Sequence, residues 1–193
     1  LSLEKQREVY EQAQDLLDKN DIDGYLSIRP KISDYPLTPY VDYRTFIRQL
    51  PEKSPQQVNE FISEHESFPF SRRVRAPYLN HLYKQKDWKT ITEFQKVIPS
   101  GERYQCIFYV AQLEQGKKVA AFKGAEHMWL RGRSIADECD PLFAAWDKAG
   151  ERTDELILQR MLLAFDARNG SLMSYLLKLP KSSQARQQAK EMK

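Results

Sequence analysis

The residue types with the widest chemical range are few in this chain: two cysteines, Cys106 and Cys139, and three histidines, His65, His81 and His127, among 193 residues. A metal site needs several such groups at short spacing, and neither CxxC nor HExxH occurs. The three histidines lie far apart in unlike surroundings, as surface or half-buried helix residues do. No Gly-rich phosphate loop, GxSxG elbow or Ser/His/Asp arrangement is present. The residues therefore assign no catalytic group, no metal ligand and no cofactor. The cysteines admit two readings. Buried reduced thiols are common in reducing compartments, whereas a disulfide requires oxidising conditions. Cys106 falls early in an apolar segment and Cys139 just before Asp140-Pro141, so one intervening helix can bring them together. A bridge there would close a loop of about thirty residues and contribute about 3–4 kcal/mol by the chain-entropy argument. Two basic clusters remain, Arg72/Arg73/Arg75 and Arg131/Arg133. Guanidinium forks suit carboxylate-bearing polymers, although clusters of this size are commonly solvated faces.

Composition bounds the setting of these groups. Thirty basic against 27 acidic residues leave a net charge of +3, which argues against a dedicated nucleic-acid binder. A hydrophobic share of 41%, with three Trp, ten Tyr and nine Phe, supplies a sizeable core. No run approaches the roughly 18–20 apolar residues of a membrane span. The length suits one domain, 1–193.

Helix signals recur along the chain and strand signals do not. Over 2–19, Leu3, Tyr10, Ala13 and Leu17 share one face, flanked by Val9 and Leu16. A short helix follows with Ile22, Tyr25 and Leu26 inward, ending before Pro30. Thr38-Pro39 reads as N-cap and first helical residue, ahead of a stripe of Tyr40, Tyr43 and Ile47. Ser54-Pro55-Gln56-Gln57 has the pattern of a capping box. Its helix carries Val58, Phe61, Ile62 and His65 on one face. Asp87 precedes Trp88, Ile91 and Phe94 in the same manner. Pro77 either starts a helix or kinks a longer one over 71–86, and the longer kinked helix is the expectation. Residues 102–115 and 117–131 form two helices around Gly116, the first apolar nearly all round and hence buried. Asp140-Pro141 opens a helix bearing Leu142, Ala145, Trp146 and Ala149, closed by Gly150. Helices at about 154–168 and 171–179 are separated by Asn169-Gly170. The run 181–193 is rich in helix formers and reads as a helix cut in its middle or a frayed terminal one. The expected fold is all-α: a superhelical α-solenoid of stacked antiparallel helix pairs, a degenerate tetratricopeptide-like array, with a globular bundle as the alternative.

Several segments carry a family resemblance: Ile32-Ser33-Asp34-Tyr35-Pro36-Leu37-Thr38-Pro39-Tyr40-Val41-Asp42-Tyr43-Arg44, then Asp87-Trp88, Gln105-Cys106-Ile107-Phe108-Tyr109, and Leu130-Arg131-Gly132-Arg133-Ser134 leading to Cys139-Asp140. Together they resemble the N-terminal, U-shaped helical domain of the large soluble lytic murein transglycosylases of Gram-negative bacteria. The resemblance runs through essentially all of the chain. In that family a helical superhelix closes into a ring, and a C-terminal lysozyme-like domain cuts glycan strands to 1,6-anhydro-muramyl products.

The resemblance implies a periplasmic location, and the start at Leu1, with no initiator Met or apolar leader, reads as a chain whose signal peptide has been removed. It implies a structural disulfide between Cys106 and Cys139. It also implies that the chain is an N-terminal fragment whose partners are its own C-terminal catalytic domain and peptidoglycan glycan strands, with no nucleic acid and no membrane span. The family's catalytic Glu is followed by Ser and, further on, by Gly-Leu-Met-Gln. Glu66-Ser67 is followed here by Phe-Pro-Phe, and Gly-Leu-Met-Gln does not occur, so no catalytic residue carries over. The expected function is a non-catalytic scaffold; a stand-alone tetratricopeptide-like adaptor for a protein or peptide is the alternative.

Overall fold

The computed structural model describes residues 1–193 and contains twelve α-helices, four short 3-10 turns and no strand. The all-α expectation is met. The chain divides into two compact units, Leu1–His81 and Leu82–Lys193.

In the first unit, α1 (Leu3–Asp18), α2 (Ile22–Ile28), α3 (Thr38–Arg48) and α4 (Pro55–Glu64) lead into α5 (Arg75–Lys84). Tyr10, Ala13 and Leu17 of α1 are buried against Tyr25, Ile32 and Val41. In the second, α6 (Trp88–Phe94), α7 (Glu102–Glu114), α8 (Lys118–Trp129), α9 (Asp140–Lys148), α10 (Asp154–Asp166), α11 (Gly170–Leu176) and α12 (Ser183–Met192) enclose a larger core around Trp129, Phe143 and Trp146. Trp129 meets Phe143 and Trp146 edge-on at 5.3 and 5.8 Å between ring centroids, the geometry that the aromatic quadrupole favours.

Side-chain caps set the helix starts. Ser2, Asp21, Asp87, Thr153, Asn169 and Ser182 each accept a backbone N–H from three residues on, satisfying one of the donors a helix start leaves unpaired. Ser54 and Gln57 form the reciprocal box, with Gln57 N–H on Ser54 Oγ at 3.2 Å and Ser54 N–H on Gln57 Oε1 at 2.9 Å.

The repetition lies in the turns. Asn20, Lys86, Gly116, Gly150 and Arg168 all have positive φ, between 55° and 81°. In each case the next residue's N–H reaches the carbonyl five residues back: Asp21 to Leu16, Asp87 to Leu82, Lys117 to Gln112, Glu151 to Trp146 and Asn169 to Ala164. This is one Schellman closure used five times. It turns the chain back after α1, α5, α7, α9 and α10. Because Asn, Lys, Arg and Gly all occupy the left-handed position, the repeat is degenerate in sequence while regular in backbone.

Three local expectations are corrected. Pro77 does not kink a long helix: a 3-10 turn, Pro69–Arg73, precedes α5, and Pro77 sits in the first turn of α5, where a missing N–H costs no helical bond. Thr38 is not the N-cap of α3, because its hydroxyl donates to the Ile32 carbonyl at 2.6 Å and the cap position falls on Leu37. Asp140 and Pro141 do open α9, as expected, with Cys139 in the cap position. Leu3, Leu26 and Tyr40 face outward, at 67%, 50% and 42% exposure. In α3 the buried positions are Thr38, Val41 and Thr45 instead, since Thr45 hides its hydroxyl on the Val41 carbonyl at 3.0 Å.

The last segment is a packed helix. Ala185 and Ala189 are buried, and the Asp154 carboxylate accepts the Lys181 and Ser182 N–H groups at 2.8 and 2.9 Å where the chain enters α12.

Candidate functional site

The polar groups that the structure gathers fall into three places. The first surrounds the cysteines. Cys106, on α7, and Cys139, in the 3-10 turn before α9, are disulfide-bonded with Cα atoms 4.8 Å apart. Three ion pairs, on two carboxylates, flank the bridge. Glu102, one helical turn ahead of Cys106, accepts from Arg131 at 3.2 Å and from Arg133, and its second oxygen takes the Ala136 N–H at 2.9 Å. Arg103 pairs with Glu138 at 3.3 Å. Burial opposes ionisation of Glu102, but the Arg133 and Ala136 hydrogen bonds and the nearby Arg131 charge outweigh it and hold the carboxyl below its usual range. The loop 131–139 is thus fastened to the start of α7 by one covalent and several charged links.

Behind that loop lies Arg160, 4% exposed on α10. Its Nε and Nη2 donate to the Arg131 and Arg133 carbonyls at 3.3 and 3.1 Å. Burial pulls its guanidinium down to about 10, still far enough above neutral for it to remain charged. Arg152 lies 5.1 Å from the centroid of the Trp129 ring and pairs with Asp147 at 3.3 Å.

The second place is in the first unit. Asp42, within the motif segment, accepts from Tyr25 at 2.6 Å and from the Arg29 fork at 2.8 and 2.7 Å. Burial works against the Asp42 charge, yet the Arg29 and Tyr25 hydrogen bonds prevail and the carboxyl is held low. Burial and the Asp42 hydrogen bond push the Tyr25 hydroxyl up. Tyr35, from the same motif, packs 5.3 Å from Tyr10. The most distinctive stretch of sequence therefore does structural work, tying α3 to α1, α2 and the turn between α2 and α3.

The third place is a surface one. Glu66, Ser67, Phe68, Pro69, Arg72 and Arg73 surround an open depression of about 420 Å³. Glu66, Arg72 and Arg73 are exposed. Arg75 is separate and donates to Asn59 at 3.2 Å. Under the depression runs an aromatic stack: Phe68 on Phe70 at 5.2 Å, Phe61 on His65 at 4.1 Å and Phe46 on Phe61 at 4.0 Å.

The structure thus joins Cys106 with Cys139 and joins Arg131 with Arg133 on Glu102, but splits the Arg72/Arg73/Arg75 cluster. The histidines stay apart. His65 donates from Nδ1 to the Phe61 carbonyl at 2.7 Å, His81 is half-buried and His127 is exposed. Sequence reasoning missed Glu102, Asp42 and Arg160. The first two are ordinary helix acids until their arginine partners, 29 and 13 residues away, are placed beside them. Arg160 gave no signal, for it sits among residues that read as a plain amphipathic helix.

Comparison with known proteins gives this arrangement a context. The family model described as cucumovirus coat protein matches residues 118–190, less than half of the chain, and is not supported by the longer matches. The chain is 32% identical over 175 residues to the soluble lytic murein transglycosylase of Salmonella typhimurium and 31% identical over 175 residues to that of Escherichia coli K12. Each match covers 91% of this chain and 27% of the relative, so the chain spans about a quarter of the length of the curated relatives it matches. The crystal structure of the 70 kDa soluble lytic transglycosylase of Escherichia coli covers the whole chain at a TM-score of 0.87 with 29% identity, over 31% of its own length. The lytic transglycosylase Slt of Pseudomonas aeruginosa, solved as an inactive mutant, covers 95% of the chain at a TM-score of 0.79 and 30% identity, over 30% of its own length. No helix of this chain is long and apolar enough to cross a membrane. Sequence and fold agree over nearly the full length: the chain is homologous to the soluble lytic murein transglycosylases.

Proposed function

We propose that this chain is a non-catalytic scaffold domain of a periplasmic lytic transglycosylase, an enzyme that cleaves peptidoglycan glycan strands to 1,6-anhydro-muramyl products. The observation that carries this reading is the fit of the entire chain, at a TM-score of 0.87, to less than a third of a solved lytic transglycosylase. In this reading the two compact units together make one helical module, and its partners are the catalytic domain of the same polypeptide and the glycan strands. The charged groups support a holding role, because Glu102, Asp42 and Arg160 are each engaged by partners within the chain. Glycoside cleavage needs a carboxyl poised as an acid or base in a saccharide cleft, and Glu66 lies exposed at the rim of an open depression. The disulfide supports an oxidising compartment, of which the periplasm is one.

The test is to incubate the 193-residue chain with purified sacculi and analyse soluble products by mass spectrometry. The scaffold reading expects no 1,6-anhydro-muropeptides from this chain and their release by the parent enzyme. Products from the chain alone, abolished in Glu66→Gln, would overturn it.

A further inference from the structure

The arginines of this chain are almost all engaged. Of fourteen, eleven make a hydrogen bond or ion pair within the protein, as Arg29 does with Asp42, Arg44 with Asp18, Arg48 with the Leu17 carbonyl and Arg186 with the Pro180 carbonyl. The exceptions are Arg72, Arg73 and Arg168, and only Arg72 and Arg73 are adjacent. Both extend from the 3-10 turn Pro69–Arg73, which is anchored from below by buried Phe70 and Ser71. Two unpaired guanidiniums on a fixed turn lose less freedom on meeting a ligand than two on a mobile loop.

Their surroundings specify a ligand chemistry. The depression between them is walled by Phe68 and Pro69 and carries one carboxylate, Glu66. Phe68 meets the exposed ring of Tyr40 edge-on, 5.7 Å between centroids, so an aromatic surface continues beyond the depression. An aromatic face accepts the apolar face of a pyranose ring, a carboxylate accepts hydroxyl or amide hydrogens, and guanidinium forks take carboxylates in bidentate fashion. An anionic amino-sugar polymer with peptide carboxylates presents all three at sugar-length spacing. With two cations to one anion at the rim, charge complementarity favours that polymer over a neutral glycan.

We propose that the Glu66–Arg73 depression, with Tyr40 beside it, is a contact site for the glycopeptide strand of peptidoglycan, with Arg72 and Arg73 holding stem-peptide carboxylates and Phe68 and Tyr40 facing a sugar ring. The proposal rests on the reading of the chain as a domain of a murein-cleaving enzyme. The interaction is weak and salt-sensitive, because exposed charges are screened beyond about 8–10 Å at physiological ionic strength.

The experiment is co-sedimentation of the 193-residue chain with purified sacculi at low and physiological salt. It compares wild type, Arg72→Gln/Arg73→Gln, Arg72→Lys/Arg73→Lys, and Arg168→Gln as an unpaired arginine elsewhere. Circular dichroism checks that each is folded. The site predicts that the glutamine pair weakens binding about tenfold, a 1.4 kcal/mol effect, that the lysine pair retains part of it, and that Arg168→Gln binds like wild type. Equal binding by the glutamine pair and wild type, an equal loss in Arg168→Gln, or no binding by wild type at low salt would each overturn the site. None of these results bears on the scaffold reading, which stands or falls on the products released from sacculi.

Discussion

The guanidinium carbon of Arg160 lies 4.3 Å from the centroid of the Trp129 ring, and the indole Nε1–H donates to the Leu156 carbonyl at 3.0 Å, one turn earlier on the same helix as Arg160. α8 and α10 are thus joined through a buried cation and a buried ring. A buried charge without a carboxylate partner is costly unless its donors are filled. Here two loop carbonyls take the Nε and one Nη2 hydrogen, and the ring face lies against the guanidinium.

Arg160→Met tests that joint. The methionine keeps most of the apolar stem in place but leaves the Arg131 and Arg133 carbonyls without these donors. Hydrogen bonds to a charged group contribute about 1.5–3 kcal/mol, so urea unfolding should show a loss of about that size. A variant as stable as wild type would mean that water or backbone adjustment meets the carbonyls unaided.

The Cys106–Cys139 bridge spans 33 residues. Chain entropy sets its contribution at about 3–4 kcal/mol. Non-reduced peptide mapping should show the linked pair, and Cys139→Ala should lower the urea midpoint accordingly. The Glu102 and Arg103 ion pairs should keep the mutant helical, so circular dichroism should change little before unfolding.

Acid should destabilise the protein through carboxyls held low in the fold. Glu102, Asp42 and Asp154 all have pKa values below their ordinary ones. A depressed folded pKa adds stability that is present above the unfolded carboxyl range, near 4, and is lost as pH falls through the folded value. Glu102→Gln should cost about 1.5–3 kcal/mol at pH 7, the range for hydrogen bonds to a charged group. The gap from wild type should narrow towards pH 3. A gap unchanged between pH 7 and pH 3 would refute the charge-based account.

Two glycines within helices should respond with opposite signs. A Cβ at Gly124 would overlap the ring of Tyr109, whereas a Cβ at Gly170 meets nothing within 4 Å. Helix propensity alone favours Ala over Gly by about 0.8–1.0 kcal/mol. Gly170 is the first residue of α11, so only part of that gain, about a few tenths of a kcal/mol, should appear in the melting temperature. At Gly124 overpacking of about 1–3 kcal/mol should exceed it, so Gly124→Ala should melt lower.

The left-handed turn residues offer a stabilising change. Lys86 holds φ 55°, a conformation that costs a side-chain-bearing residue about 1–2 kcal/mol and glycine little. Lys86→Gly should raise stability by a few tenths to about 1 kcal/mol after the glycine's extra unfolded-state freedom is offset. Thermal unfolding measures it, and a lower melting temperature would mean that the lysine side chain contributes packing.

Much was determined locally and could be read from the residues. Ser54 and Gln57 close their box, Gly116 turns α7 into α8, and the apolar run from Cys106 to Val110 is buried, because caps, positive φ and periodicity depend on neighbours within a turn or two. The same residues showed two cysteines and one intervening helix, and the fold supplied the bond. Tertiary structure alone decided which face of α3 is buried, with Thr38 and Thr45 inward and Tyr40 outward. A threonine hydroxyl can be hidden once a carbonyl such as that of Ile32 or Val41 is within reach. It also decided that Arg131 and Arg133 are held by Glu102 while Arg72 and Arg73 are left free. A charge run has the same composition whether its partners are protein or solvent. The difference is made by distant helices, α7 among them, brought alongside by packing that no local pattern encodes.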